Sequence, residues 1–250
     1  MRRPFIAGNW KMNLRRQSAV DLAAAVAAAS GEFGEVDVAV CPPSTYLASV
    51  ADAVSGSPVA VGAQNMYHET DGAFTGELSA AMLLDVGCRC VVLGHSERRH
   101  VLGESNQEVN AKVLAALTAG LTPIVCVGET LAQREAEQTT DVVAEQFYGS
   151  LAGVNADQAV ATVIAYEPVW AIGTGKVASP DQAEAVHSDL RKILQNQYNA
   201  EVADQIRIQY GGSVKPANAR DLLSQPNIDG ALVGGASLEP DSFLGIIQAA

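Results

Sequence analysis

The chain has 250 residues, 48% of them hydrophobic, and a formal net charge of −12. Without a basic stripe, such an acidic chain is unsuited to phosphate-backbone binding, which excludes a nucleic-acid partner. No uninterrupted apolar run approaches the ~18 residues that a membrane-spanning helix needs.

At this length the chain could form two small domains or one α/β barrel, and either way it can bury a sizeable core. Cys41, Cys88, Cys90 and Cys126 form no C-x-x-C pair and have no His-rich cluster beside them. They read as buried free thiols of a reducing compartment, with no metal site. Arg2 and Arg3 precede only a short apolar run before Asn9, so no signal peptide is expected and a cytoplasmic location is.

Buried-strand patterns alternate with helical ones along the whole chain. Phe5–Gly8 reads as the first strand, and the alanine-rich stretch from Gln17 to Ser30 as a helix closed by Gly31. A second strand, Val36–Val40, leads through Pro42-Pro43 to a helix starting near Ser44. Val59–Ala63 is a third, followed by a long polar loop through Gly76 and a helix from Glu77 to Val86. Cys90–Leu93 is the fourth. Ser105 and Glu108 then form a capping box that opens a helix running to Ala119 and stopping at Gly120.

Pro123–Val127 is the fifth strand, with helical sequence beyond it to Leu151. The seventh and eighth, Ile206–Tyr210 and Ala231–Val233, lead to helices over Pro216–Leu223 and Pro240–Ala249. No linker or composition break divides the chain. Eight short buried strands, each with its helix, predict one α/β domain over residues 1–250, a parallel (β/α)8 barrel.

The sixth unit carries the most information. An apolar run from Thr162 to Tyr166 ends in Glu167-Pro168, and proline restricts the residue before it, so Glu167 stands where the strand stops. Next comes Val169-Trp170-Ala171-Ile172-Gly173-Thr174-Gly175-Lys176. This segment is apolar enough for a core but has loop-like glycines. Ser179, Pro180 and Gln182 then open a helix as N-cap, N1 residue and capping-box partner. Exposing Trp170 and Ile172 in a loop is costly unless the loop folds over something, and a water-excluding lid fits.

In a parallel barrel, residues just after the strands share one face, where active sites are built. Those positions hold Asn9-Trp10-Lys11, Gly94-His95-Ser96-Glu97, Glu167 with its lid, Gly211-Gly212-Ser213 and Gly234-Gly235-Ala236. Each has a structural alternative. His95 could satisfy a strand end, Lys11 could be a surface lysine, Glu97 an ion-pair partner, and the glycines ordinary turns. Their concentration at one end is what points to a site.

Gly173-Thr174-Gly175-Lys176-Val177-Ala178 matches G-x-G-x-x-G/A only loosely. Glu167 to Ile172 separate it from the strand, and the helix begins after Ser179, so a dinucleotide site is not supported. No G-x-x-x-x-G-K-[ST] is present. Three glycine-rich loops offering backbone N–H groups suit a single phosphate monoester instead.

The stretches Gly8-Asn9-Trp10-Lys11-Met12-Asn13, Gly72-Ala73-Phe74-Thr75-Gly76-Glu77, Leu93 to Arg99, Ala165 to Gly175 and Tyr210 to Val214 resemble the triosephosphate isomerase family over essentially the entire chain. The resemblance implies a TIM barrel. It also implies cofactor-free interconversion of dihydroxyacetone phosphate and glyceraldehyde 3-phosphate, in glycolysis and gluconeogenesis. Glu167 would be the base, His95 a neutral electrophile and Lys11 the positive charge for phosphate and developing oxyanion, with Asn9 holding Lys11 in place. Ser96 to Arg99 reads as a helical turn whose N-terminal dipoles would oppose an imidazolium. The backbone at Gly173, Ser213, Gly234 and Gly235 would hold the phosphate, and Pro168 to Lys176 would close over it.

The resemblance further implies a homodimer through the Gln64–Glu77 loop. That loop departs from common family versions around Tyr67-His68-Glu69-Thr70, and Val127 and Val177 are two smaller departures. Two rival readings remain. An aldolase on a larger sugar phosphate would need an inward Schiff-base lysine, which no strand supplies. A non-catalytic phosphate-binding barrel would not require Lys11, His95 and Glu167 together.

Overall fold

The computed structural model describes residues 2–250. Its element order is β1 (Phe5–Asn9), α1 (Arg16–Ala28), β2 (Asp37–Cys41), α2 (Leu47–Val54), β3 (Ala60–Ala63), α3 (Ala80–Asp85), β4 (Cys88–Leu93), α4 (Ser96–His100), α5 (Asn106–Ala119) and β5 (Thr122–Val127). The chain continues with α6 (Leu131–Glu135), α7 (Thr139–Ser150), α8 (Ala156–Val160), β6 (Val163–Tyr166), α9 (Pro180–Gln197), α10 (Ala200–Ala203), β7 (Arg207–Tyr210), α11 (Pro216–Leu223), β8 (Gly230–Val233) and α12 (Pro240–Ile247). The strands pair in sequence order, and β1 pairs with β8 to close the barrel. Every pairing is parallel.

Because strand side chains alternate between faces, each strand feeds two cores. Inward positions such as Ala7, Ala39, Cys41, Val92, Ile124, Cys126 and Ala165 fill the barrel with mostly small and medium side chains. Outward positions such as Ile6, Val40, Leu93, Val125, Ile164 and Ile208 pack under the helices with Leu22, Val50, Val113, Phe147 and Leu190. The four cysteines are free and buried.

The capping signals hold at Ser105 and Ser179, whose side chains accept from Glu108 N–H and Gln182 N–H. Gly120 ends α5 in the left-handed region at φ 87°. Two expected boundaries are corrected. Gly31 does not close the first helix: α1 ends at Ala28, and Gly31 lies inside a following 3-10 turn, Ser30–Glu32. The helix expected from Glu77 starts at Ala80, because Ser79 caps it by accepting from Met82 N–H. The helical sequence leading to Leu151 is broken into α6 and α7 around Glu137, whose φ is +58°.

His187 of α9 lies wholly buried beside the outer face of β6 and β7. Its ring stands edge-on to Tyr166 at 5.8 Å between centroids, and Nδ1 donates to the Asn227 carbonyl at 3.0 Å. Burial pulls its pKa down to about 3, more strongly than the Asn227 carbonyl raises it. An unfolded histidine titrates near ~6.5. Above that pH the buried neutral ring contributes its full stability. As pH falls from ~6.5 towards 3, the unfolded chain takes up a proton that the folded chain refuses, and stability declines by about 1.4 kcal/mol per pH unit from this group. Urea unfolding of His187→Gln between about pH 6 and 4 should therefore show a shallower decline than the parent protein.

Candidate active site

All eight residues singled out in the sequence, Asn9, Lys11, His95, Glu167, Gly173, Ser213, Gly234 and Gly235, line one cavity of about 650 Å³ at the C-terminal rim of the strands. The sequence rule for rim residues therefore brings the whole set together.

Lys11 follows β1 in the left-handed region at φ +50°, an uncommon conformation for a side chain with a Cβ. It is held from two sides. Asn9 Oδ1 accepts its N–H at 3.0 Å, and its carbonyl accepts from Gln64 Nε2 at 2.8 Å. Its Nζ meets Glu97 Oε1 at 2.5 Å, so Glu97 is an ion-pair partner.

Gly94 follows β4 with φ +65°, turning the chain so that His95 becomes the N-cap of α4. Its Nδ1 accepts the Glu97 N–H at 3.3 Å. That bond assigns the ring hydrogen to Nε2, which donates to Glu167 Oε1 at 2.8 Å. The other oxygen, Oε2, accepts the Ser96 N–H at 2.7 Å. Glu167 is only 2% exposed, and its backbone continues the ladder past the end of β6, with its N–H donating to the Val127 carbonyl at 2.8 Å.

Burial pushes the Glu167 carboxyl pKa up. The His95 hydrogen bond and, when the ring is protonated, its charge act with the Ser96 N–H and Lys11 to outweigh burial, and the net direction is down. For His95, burial lowers the pKa, but the adjacent Glu167 charge and bond more than offset it, and the net direction is up. The N-terminus of α4 thus reaches the ring as the sequence suggested, through Glu97 N–H. The neighbouring carboxylate exerts the larger, opposite influence. A buried ionised carboxylate is tolerated here because both oxygens have donors.

The expected lid is rooted in a carboxylate to which the sequence assigns no role. Glu129 is wholly buried just after β5. It accepts from Trp170 Nε1 at 2.9 Å, from Tyr166 Oη at 3.1 Å and from Arg134 Nη1 at 3.1 Å. The Arg134 guanidinium also lies 4.7 Å from the Trp170 ring centre. Beyond this anchor the chain from Gly173 to Val177 is exposed, with Gly173 and Gly175 at φ 69° and 81°. Position just after a strand was the available signal for Glu129. Nothing local marks Ser96 N–H as a Glu167 partner, because that contact joins residues 71 positions apart.

A closed parallel barrel with a carboxylate, an imidazole and a lysine around one rim cavity places the molecule in the class of TIM-barrel proteins with an acid–base constellation. The family model for triosephosphate isomerase matches residues 4–250. The triosephosphate isomerase of Rhodopirellula baltica is 61% identical over 249 residues, covering 100% of this chain and 98% of the relative. Those of Carboxydothermus hydrogenoformans and Chloroflexus aurantiacus are 53% and 54% identical over 248 residues, each covering 99% of both chains. The chain belongs to the triosephosphate isomerase family.

Gly211 sets a steric limit on the carboxylate. A Cβ there would lie 2.9 Å from Glu167 Cγ and 3.1 Å from the Tyr166 carbonyl. Gly211→Ala should displace the Glu167 side chain and lower isomerase kcat by about 10²-fold, as ångström-scale misplacement does. Far-ultraviolet circular dichroism should stay that of the parent barrel.

Proposed function

We infer that this protein interconverts dihydroxyacetone phosphate and glyceraldehyde 3-phosphate as an aldose–ketose isomerase. The observation that carries the reading is the meeting of Lys11, His95 and Glu167 with three glycine-rich turns around one cavity, in a chain that matches the family end to end. Glu167 takes a proton from the carbon beside the carbonyl and returns it to the neighbouring carbon. To do so its carboxylate leaves the Ser96 N–H and turns to the substrate. His95 Nε2–H, released from the carboxylate in the same movement, donates to the substrate oxygens as the enediolate forms. The neutral tautomer is supported by the Glu97 N–H at Nδ1.

Lys11 supplies positive charge to the phosphate and the developing oxyanion, on a backbone held by Asn9. The backbone at Gly173, Ser213, Gly234 and Gly235 grips the phosphate, and residues 168–176 close over it from their root at Glu129. Closure excludes water, which strengthens the electrostatics and protects an enediolate that would otherwise lose phosphate. Proton shuttling of this kind takes no redox cofactor. The whole chain acts as one barrel domain, in the cytoplasm, in the reactions that build and break down sugars. No helix among the described residues is long and apolar enough to cross a membrane.

The functional unit we propose is a homodimer. A second cavity of about 440 Å³ has Lys11, His95 and Glu97 on one wall and Gln64, Gly76 and Glu77 on another. On its lining Met12 is 95% exposed and Leu102 65%, apolar surface that fits a partner's 64–77 loop. In sedimentation, the protein should run at twice the 26.0 kDa chain mass. A monomer at micromolar concentration would reject the dimer.

The isomerase reading is tested with purified protein, glyceraldehyde 3-phosphate and no added nucleotide or metal. Turnover to dihydroxyacetone phosphate is expected. Glu167→Asp should lower kcat by about 10²-fold or more while KM changes little, because it misplaces the base. Unchanged turnover in that variant would remove Glu167 from the role.

A further inference from the structure

Two lysines line the 650 Å³ cavity, Lys11 and Lys215. Lys11 is already paired with Glu97, whereas Lys215 has no carboxylate partner among the described residues. Its backbone is nonetheless fixed. Pro216 follows it, which confines Lys215 to the extended region, and its φ and ψ are −139° and 160°. The Asn218 side chain completes the clamp: Oδ1 accepts Lys215 N–H at 2.7 Å, and Nδ2 donates to the Ser213 carbonyl at 3.1 Å. One side chain thus pins both the turn that carries Ser213 and the residue that carries the free cation.

The position is unfavourable for a lysine by local rules. Lys215 is the N-cap of α11, where Ser, Thr, Asp and Asn are preferred because they accept backbone N–H groups. Its side chain makes no cap bond, and its charge sits at the positive end of the helix dipole. A residue that works against its own helix, beside a cavity proposed to bind an anion, points to a role in binding. The chain as a whole carries −12, which repels a phosphate dianion.

We propose that Lys215 is a further substrate-binding residue, an exposed, unpaired lysine whose backbone Pro216 and Asn218 fix at the cavity rim, and that its charge draws in the phosphate before the lid closes. The proposal rests on the isomerase reading above and adds to it a residue at the cavity that opposes the chain's own field. Lys11, neutralised by Glu97, contributes little to attraction at a distance. Lys215 acts on capture, not on the proton transfer.

The test is steady-state kinetics of Lys215→Ser, Lys215→Arg and a distant control, Lys192→Gln, across a range of ionic strength. For Lys215→Ser, kcat/KM should fall about three- to tenfold at ~10 mM salt and converge on the parent value by ~0.5 M, where charges are screened within a few ångströms. Its kcat should stay within about twofold, because the barrier to proton transfer is untouched. Inorganic phosphate should inhibit this variant more weakly, by a similar factor at low salt. Its thermal midpoint should equal or exceed the parent's, since serine is the better cap.

Lys215→Arg should restore capture, and Lys192→Gln, altered at a surface lysine paired with Asp189, should change nothing. Equal kcat/KM for Lys215→Ser and parent at low salt would overturn the proposal. So would a loss that persists at high salt with a lowered thermal midpoint, which would make Lys215 a structural residue. Absence of isomerase turnover in the parent protein would instead overturn the reading on which the proposal stands, a result distinct from full turnover without a salt-dependent difference.

Discussion

The structure turns on one buried carboxylate. Glu167 sits at the end of β6 almost without solvent, where an unpartnered charge would be expelled or protonated. It persists as an anion because His95 Nε2 and Ser96 N–H each occupy one of its oxygens. Both donors come from the turn after β4, which reaches Glu167 across the mouth of the barrel. Closing the ring from β1 to β8 also brings Asn9 and Lys11 beside Gly234 and Gly235. The donors of the carboxylate are brought round by the β4–β5–β6 pairings, and without the closure the lysine would lose the glycine turn beside it.

Holding the proposed base on groups that it must leave has a mechanistic meaning. The same His95 N–H that keeps Glu167 ionised is the donor proposed for the substrate's oxygens. One movement of the carboxylate therefore frees both partners of an acid–base reaction at once. The ring is kept in the required tautomer from behind, through the Glu97 N–H at Nδ1. Glu97 does a second job with its side chain, holding Lys11 Nζ. Few residues thus serve several constraints, and steric limits such as Gly211 act on the same carboxylate.

The lid follows the same logic of buried charge. Glu129 is wholly enclosed and has three donors, one of them the indole of Trp170 at the root of the exposed 173–177 segment. The apolar, aromatic stretch stays half-buried at the rim, packed on the core with one end tied to a buried anion. Its tip carries the glycines whose positive φ values allow a tight turn.

The sequence by itself determined the repeating strand–helix order, the caps at Ser105 and Ser179, the stop at Gly120 and the eight rim residues that share the cavity. These signals are local: an apolar period, a proline, a side chain that bonds a backbone group three residues on. It erred at Gly31 and Glu77 because competing caps within a few residues, Ala29 and Ser79, define the observed ends. Only the tertiary structure decided which groups touch. The Glu167–Ser96 and Trp170–Glu129 bonds and the clamp of Gln64 on Lys11 join residues 71, 41 and 53 positions apart. So did the opposing pulls on the His95 proton, since electrostatic energy depends on separations in space that no spacing along a chain encodes.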